Sequence, residues 1–233
     1  MPGPDLPVSP RERLILALDL PSGEEAVTLA RKLSGEVLWV KVGLELFCRG
    51  GPRVVEELAS LGKRIFLDLK FHDIPNTVAR AVAAAARLPV QLIDIHAAAG
   101  MRALEAAHKA SSGRSDLGLL AVTRLTSEEA DEGGFDDVAR LAEMASRAGL
   151  FGVVCPAAAA SRLRACHGDS LARVCPGIRP RGSDAHDQVH VATPEGAVAS
   201  GAHWIVVGRA VTQAPDPIRA VREILAGMAG AGA

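Results

Sequence analysis

The chain is predicted to fold as a single (β/α)8 barrel, and three features of the sequence lead there. Eight short apolar runs recur between Leu14 and Arg209. Each has the length of a strand, and most are apolar at successive positions, as parallel strands covered on both faces are. Their starts lie roughly 27 residues apart, which leaves room for one helix and two turns per interval. No linker, charge run or low-complexity insert divides the 233 residues, so residues 1–233 read as one domain. A doubly wound open sheet would use similar ingredients. However, the first strand–helix junction, Asp19-Leu20-Pro21-Ser22-Gly23, lacks the G-x-G-x-x-G turn of such sheets.

The strands are expected at LILALDL (14–20), LWVKVG (38–43), RIFLDLK (64–70) and QLIDIH (91–96). LGLLAVT (117–123), LFGVVCP (150–156), ARVCPGI (172–178) and WIVVGR (204–209) complete the eight. Between them lie helix signals. Ser22 with Glu25 forms a capping box. Val54, Val55, Leu58 and Leu61 share one face of a helix from Pro52, with Gly62 as its stop. Pro75 suits the first position of a helix reaching Arg87. Ser127-Glu128-Glu129 and Thr193-Pro194-Glu195 open two more, and the closing helix starts near Pro217. Residues 1–10 and 228–233 are expected as flexible tails. Trp39 and Trp204 are expected in the core between barrel and helices.

Composition narrows the function. Twenty-six Lys+Arg against 27 Asp+Glu give a net charge of −1, so no basic surplus exists to bind a nucleic-acid backbone. The longest stretch without a formal charge, 148–161, is too short to span a membrane and contains Pro156. Residues 1–10 lack the apolar core of a signal peptide, and a soluble cytoplasmic protein is expected. Cys48, Cys155, Cys166 and Cys175 form no C-x-x-C pair and read as reduced core thiols. The seven histidines include no H-E-x-x-H, and no metal site is expected.

In such barrels the chemistry sits at the C-terminal ends of the strands. Those ends carry Asp19, Lys41, Asp68 with Lys70, His96, Thr123, Pro176-Gly177-Ile178-Arg179 and Gly208-Arg209. Asp68 and Lys70 alternate with Leu69, so both point toward the barrel axis. With Asp73 and with Lys41 on the neighbouring strand they would form an alternating carboxylate–ammonium chain. Flanking carboxylates would keep a buried lysine charged. Gly208-Arg209 ends the eighth strand, where barrels often bind phosphate. The polar stretch between Ile178 and Thr193, with Arg179, Arg181 and Gln188, reads as a lid. His96 and Asp94 are open between structural and catalytic readings.

These residues together resemble the orotidine 5′-phosphate decarboxylase family. The most specific piece is Asp68-Leu69-Lys70-Phe71-His72-Asp73-Ile74-Pro75-Asn76-Thr77. Supporting pieces are Ala17-Leu18-Asp19, Lys41-Val42-Gly43, Pro176-Gly177-Ile178-Arg179-Pro180, Asp187-Gln188 and Val207-Gly208-Arg209. The resemblance spans nearly the whole chain. It implies decarboxylation of orotidine 5′-monophosphate to UMP, in pyrimidine biosynthesis, with neither metal nor organic cofactor. Asp19 and Lys41 would contact the ribose hydroxyls, Asp68 would lie against the substrate carboxylate, and Lys70 would protonate C6. Asp73 and Thr77 would reach into the partner's site of a homodimer, and Thr123 would touch the pyrimidine. Arg179, Gln188, Gly208 and Arg209 would hold the base and phosphate end. One departure is His186-Asp187-Gln188-Val189-His190, where the family often has two acidic residues before the glutamine and a basic one two places after it. The nearest alternatives are magnesium-dependent 3-keto-gulonate 6-phosphate decarboxylases and hexulose-phosphate synthases, which are similar at D-x-K-x-x-D. These carry an acidic metal ligand where this chain has Lys41. A non-catalytic barrel binding a phosphate ligand is the alternative from another class.

Overall fold

All eight apolar runs become strands, and their inward and outward faces differ in kind. The computed structural model describes residues 3–124, 134–180 and 192–230. The strands are β1 Leu14–Ala17, β2 Trp39–Gly43, β3 Arg64–Phe71, β4 Leu92–His96, β5 Gly118–Val122, β6 Gly152–Val154, β7 Ala172–Cys175 and β8 Trp204–Val207. They pair in chain order, all parallel, and β8 closes on β1 with Leu14 opposite Ile205. Closure leaves none of these eight strands with an unpaired edge.

The helices are α1 Pro10–Arg13, α2 Gly23–Lys32, α3 Leu44–Ser60, α4 Pro75–Ala85, α5 Met101–Ser111, α6 Gly134–Arg147, α7 Ala157–His167, α8 Pro194–Ala199, α9 Arg209–Thr212 and α10 Pro217–Ala229. Outward-facing residues such as Leu16, Val40, Ile65 and Ile93 join the buried faces of these helices in one core. The caps follow the sequence signals. Ser22 accepts the Glu25 N–H, Thr193 the Gly196 N–H, and Asp216 the N–H groups of Ile218 and Arg219. Pro75 is the first residue of α4, which ends at Ala85, just short of the expected Arg87. The helix expected from Pro52 is the second part of α3. An earlier part leaves β2 directly, and the two meet at Gly51, where φ is +57°. The start expected at Ser127-Glu128-Glu129 lies outside the described residues.

Three expectations are corrected. The first concerns residues 3–10, which are not a free tail. The Gly3 N–H donates to the Ser115 carbonyl at 2.9 Å, and Leu6 packs against the cluster that fills the barrel. Ser9 and Glu12 form a reciprocal capping box on α1. At the other end α10 continues to Ala229 with Met228 buried, so the chain is packed past the expected tail boundary. The second concerns the tryptophans. Trp39 and Trp204 lie inside the barrel, not around it, because they share the inward face with Lys41 and Val206. Their rings meet edge to face at 5.7 Å. Across the interior the wall is bare. A Cβ on Gly118 would stand 2.6 Å from the Phe151 ring, and one on Gly152 2.4 Å from the Ala172 carbonyl. The third concerns Cys48 and Cys166, which are exposed. Cys155 and Cys175 are buried, with their sulfurs 4.0 Å apart.

Below β7 and β8, at the end opposite the strand termini that carry Lys41 and Asp68, lies a buried ionic cluster. The Arg173 guanidinium donates to the carbonyls of Gly201 (2.7 Å), Gly168 (2.6 Å) and Leu171 (2.9 Å), and to Asp169 (3.3 Å). His203 Nδ1 accepts the Arg173 backbone N–H at 3.0 Å, and its Nε2 is 3.2 Å from Asp169. Burial, with the Arg173 charge behind it, pushes His203 down to about 4.

Candidate active site

At the C-terminal ends of the strands the barrel opens into a cavity of about 440 Å³. Asp19, Lys41, Asp68, Lys70, Arg179, Gly208 and Arg209, all singled out in the sequence, line it together. They arrive from five strand ends, as a barrel mouth requires.

The charged side of the mouth is built on β2 and β3. Lys41 projects inward two residues after Trp39. Its Nζ is 2.9 Å from Asp19 Oδ1 and 3.1 Å from Asp68 Oδ2. Burial alone would push this lysine down; the carboxylates of Asp68 and Asp19 outweigh burial and raise it. Gly43 makes room for the pair, since a Cβ there would fall 2.8 Å from both Asp19 Oδ1 and Lys41 Nζ. The other oxygen of Asp68 receives the Lys70 ammonium. Burial would raise the Asp68 carboxyl, but Lys41, a hydrogen bond from Asp94 and Lys70 hold it well below the usual carboxylate range.

Plain alternation places Asp68 and Lys70 together, yet the strand between them is not regular. Leu67 pairs with Ile93 and Phe71 with Ile95, so three residues of β3 stand against the single Asp94 of β4. Within that bulge Lys70 has φ +48°, the only positive value at a non-glycine residue among those described. Left-handed backbone costs an L-residue with a Cβ roughly 1–2 kcal/mol. The Lys70 N–H, turned out of the ladder, donates to Asp94 Oδ1 at 2.8 Å.

The opposite side of the mouth is apolar below and cationic above. Val122, Val154 and Val206 floor it, and Arg124, Arg179, Arg209 and Gln213 stand at its rim. Arg179 is buried and follows Pro176-Gly177, where Gly177 takes φ +74°. Its N–H donates to the Ala192 carbonyl at 2.9 Å, and the Ala192 N–H donates to Gly177, so the two flanks of segment 181–191 are tied together. Gln188 and the departing string 186–190 lie outside the described residues.

Three predicted site residues do not line the cavity. Thr123 is buried, and its hydroxyl donates to the Val154 carbonyl at 2.9 Å, a bond between β5 and β6. Asp73 and Thr77 are exposed on the β3–α4 junction and the first turn of α4, with Asp73 accepting the Ile74 N–H at 2.6 Å. His96 accepts the Ala98 N–H and stacks on His72 at 5.2 Å. Asp94, Arg124 and Gln213 are lining residues the strand-end reading did not select. Alternation along LIDIH would have put Asp94 inward, and Arg124 directly follows the end of the fifth run.

Among the described residues no three His, Cys, Asp or Glu side chains gather as metal ligands. The point between Asp19 and Asp68, where a cation would sit, is filled by the Lys41 ammonium. No described helix is long and apolar enough to cross a membrane.

The comparisons with known proteins converge. A relative from Chromohalobacter salexigens, named orotidine 5′-phosphate decarboxylase, is 51% identical over 91% of this chain and 93% of its own. Another of that name from Opitutus terrae is 46% identical over 91% and 96%. The crystal structure of orotidine 5′-phosphate decarboxylase from Lactobacillus acidophilus superposes with a TM-score of 0.79 at 37% identity, covering 92% of this chain and 98% of that one. With a family model matching residues 12–224, the chain belongs to the orotidine 5′-phosphate decarboxylase / HUMPS family.

Proposed function

We propose that this enzyme decarboxylates orotidine 5′-monophosphate to UMP using only its own side chains. The observation that carries the reading is the Lys41–Asp68–Lys70 chain at the edge of a cavity whose far rim is cationic. The family and its named relatives support orotidine 5′-monophosphate as the substrate.

The C6–carboxylate bond breaks, CO2 leaves, and the electron pair remains on C6. That carbanion has little resonance relief, so catalysis rests on charge already in place. The Lys70 ammonium lies where the negative charge develops and then transfers its proton to C6. Solvent reprotonates the amine for the next turnover. Asp68, kept ionised by Lys41, fixes Lys70 and meets the substrate carboxylate, an unfavourable contact relieved as CO2 departs. Asp19 and Lys41 bind the ribose hydroxyls. Arg209 and Gly208 hold the phosphate, with Arg179 and Gln188 at the base and lid; binding energy from the phosphate end can then be spent on closure.

Two further roles are proposed. Asp73 and Thr77, exposed on the mouth side, complete the site of a second copy in a homodimer. Thr123 serves the pyrimidine indirectly, by joining β5 to β6. No metal enters, because Lys41 already occupies the space between the two carboxylates and would repel a divalent ion.

The test follows the near-UV absorbance of orotidine 5′-monophosphate after enzyme is added, with and without EDTA. Conversion to UMP unaffected by EDTA is expected. Lys70→Ala should lower kcat by about 10⁴-fold or more, since it removes both a general acid and a stabilising charge, while still binding UMP. Turnover that needs Mg²⁺, or Lys70→Ala turnover close to that of the parent enzyme, would refute the assignment.

A further inference from the structure

We propose that Asp94 is a positioning residue for the reaction: it binds the Lys70 backbone with one oxygen and the Asp68 carboxyl with the other, and so sets the Asp68–Lys70 pair. The inference rests on the proposed decarboxylation, and no step of that mechanism uses Asp94.

Asp94 is wholly buried at the inward position of β4, beneath the bulge of β3. One oxygen has a clear task. Oδ1 accepts the N–H of Lys70, the residue whose backbone is left-handed. A lysine holds that conformation only where its surroundings impose it, and a fixed acceptor for its displaced N–H does so. The other oxygen is the anomaly. Oδ2 is buried with no hydrogen-bond donor among the described residues, and Lys70 Nζ stands 4.0 Å away. Asp68, another carboxyl, lies within hydrogen-bonding reach of Asp94.

Two facing carboxyls can form a hydrogen bond only by sharing a proton. Asp68 already accepts from both Lys41 and Lys70, which fixes it as the anion. The shared proton therefore belongs to Asp94, whose O–H donates to Asp68. Complete burial and the Asp68 charge push the Asp94 carboxyl well above its ordinary range, in agreement with that geometry. Asp68 then accepts from Lys41, Lys70 and Asp94, and Lys70 is held at its backbone and its ammonium at once. Misplacing such a pair by about 1 Å can cost on the order of 10²-fold in rate.

The experiment pairs Asp94→Asn with Asp94→Leu and adds an infrared spectrum. Asparagine presents the same acceptor to Lys70 and a neutral N–H donor to Asp68, so Asp94→Asn should keep kcat within about fivefold of the parent. Asp94→Leu offers neither and should lose on the order of 10²-fold in kcat, with KM moving less than about threefold. At neutral pH the parent should show a protonated-carboxyl C=O band that shifts in D2O and is missing from Asp94→Asn. Asp94→Leu with parental kcat would overturn the proposal, and so would Asp94→Asn as impaired as Asp94→Leu. Absence of the acid band would overturn it too. If Asp94→Leu does not fold by circular dichroism, Asp94→Asn and the infrared band decide. A parent enzyme that leaves orotidine 5′-monophosphate untouched refutes the reaction, and the band still tests the Asp94–Asp68 proton.

Discussion

Buried charge occurs at both ends of this barrel, and the two clusters are built on opposite terms. Beneath β7 and β8, the Arg173 guanidinium meets three backbone carbonyls and Asp169, while His203 accepts the Arg173 N–H through a neutral ring. Every charge there has a partner of the opposite kind. In the mouth, Asp68 and Asp94 face each other, Lys70 sits in left-handed backbone, and Asp94 Oδ2 has no donor among the described residues. The lower cluster closes its loops with satisfied hydrogen bonds and gains stability. The upper one holds two facing carboxyls and strained backbone together so that a substrate can exploit them. A buried ion pair is therefore no guide to function by itself; unmet polar atoms and backbone strain are the better pointers.

The contrast can be broken first at Arg173. Arg173→Met keeps the packing volume but strips donors from the carbonyls of Gly168, Leu171 and Gly201. A loss of about 4 kcal/mol in unfolding free energy is expected from urea titration, with the folded fraction retaining parental kcat. A large kcat defect with intact stability would show that the lower cluster serves catalysis after all. Gly43→Ala is the reverse case. Its Cβ would intrude to 2.8 Å from both Asp19 Oδ1 and Lys41 Nζ, and the pair must part. Activity should fall on the order of 10²-fold, equivalent to about 2.7 kcal/mol of transition-state stabilisation. The melting temperature should move by only a few degrees. Unaltered kcat/KM in that variant would mean that the Lys41–Asp19 contact has no catalytic weight.

The same contrast marks what the sequence made legible. The eight strands were readable because parallel strands buried on both faces are apolar throughout, and the Asp68–Lys70 pair because side chains alternate. Lys41 also pointed inward as expected, and it carried the placement of Trp39 with it. Two positions separate them, so both face the barrel interior, whereas the apolar character of the tryptophans by itself suits either face of the strand. The bulge at residues 68–70 left no mark, since Lys70 is neither Gly nor Asn and nothing local announces a left-handed lysine. Asp94 was therefore ambiguous: one carboxyl in LIDIH reads equally as a strand end or a core group until the register of β3 against β4 is known. Residues 1–10, expected as a tail, are anchored by Leu6 and the Ser9–Glu12 box, through contacts distant in sequence or too short-ranged to stand out.

The smallest effect separates the two clusters by pH. In the unfolded chain His203 takes up a proton near the ordinary imidazole value of about 6.5, whereas in the fold it does so only near 4. Between these values the unfolded chain binds more protons, so stability rises with pH. The contribution is complete above about pH 6.5 and is lost as pH falls toward 4. Asp169, held low first by His203 and also by Arg173, adds a loss in the same direction at still lower pH. The mouth cannot produce this slope cleanly. Asp94 binds its proton more tightly when folded, so above the ordinary carboxyl range it works against this slope, whereas depressed Asp68 contributes only below that range. The His203 share of the change between pH 7 and 4.5 should therefore be about 2 kcal/mol, read as the difference in urea unfolding between the parent and His203→Asn. His203→Asn, which keeps an acceptor for the Arg173 N–H and removes the titrating ring, should lack that share and lose about 2 kcal/mol less than the parent over the same interval. An unchanged slope in His203→Asn would move the acid sensitivity out of the lower cluster.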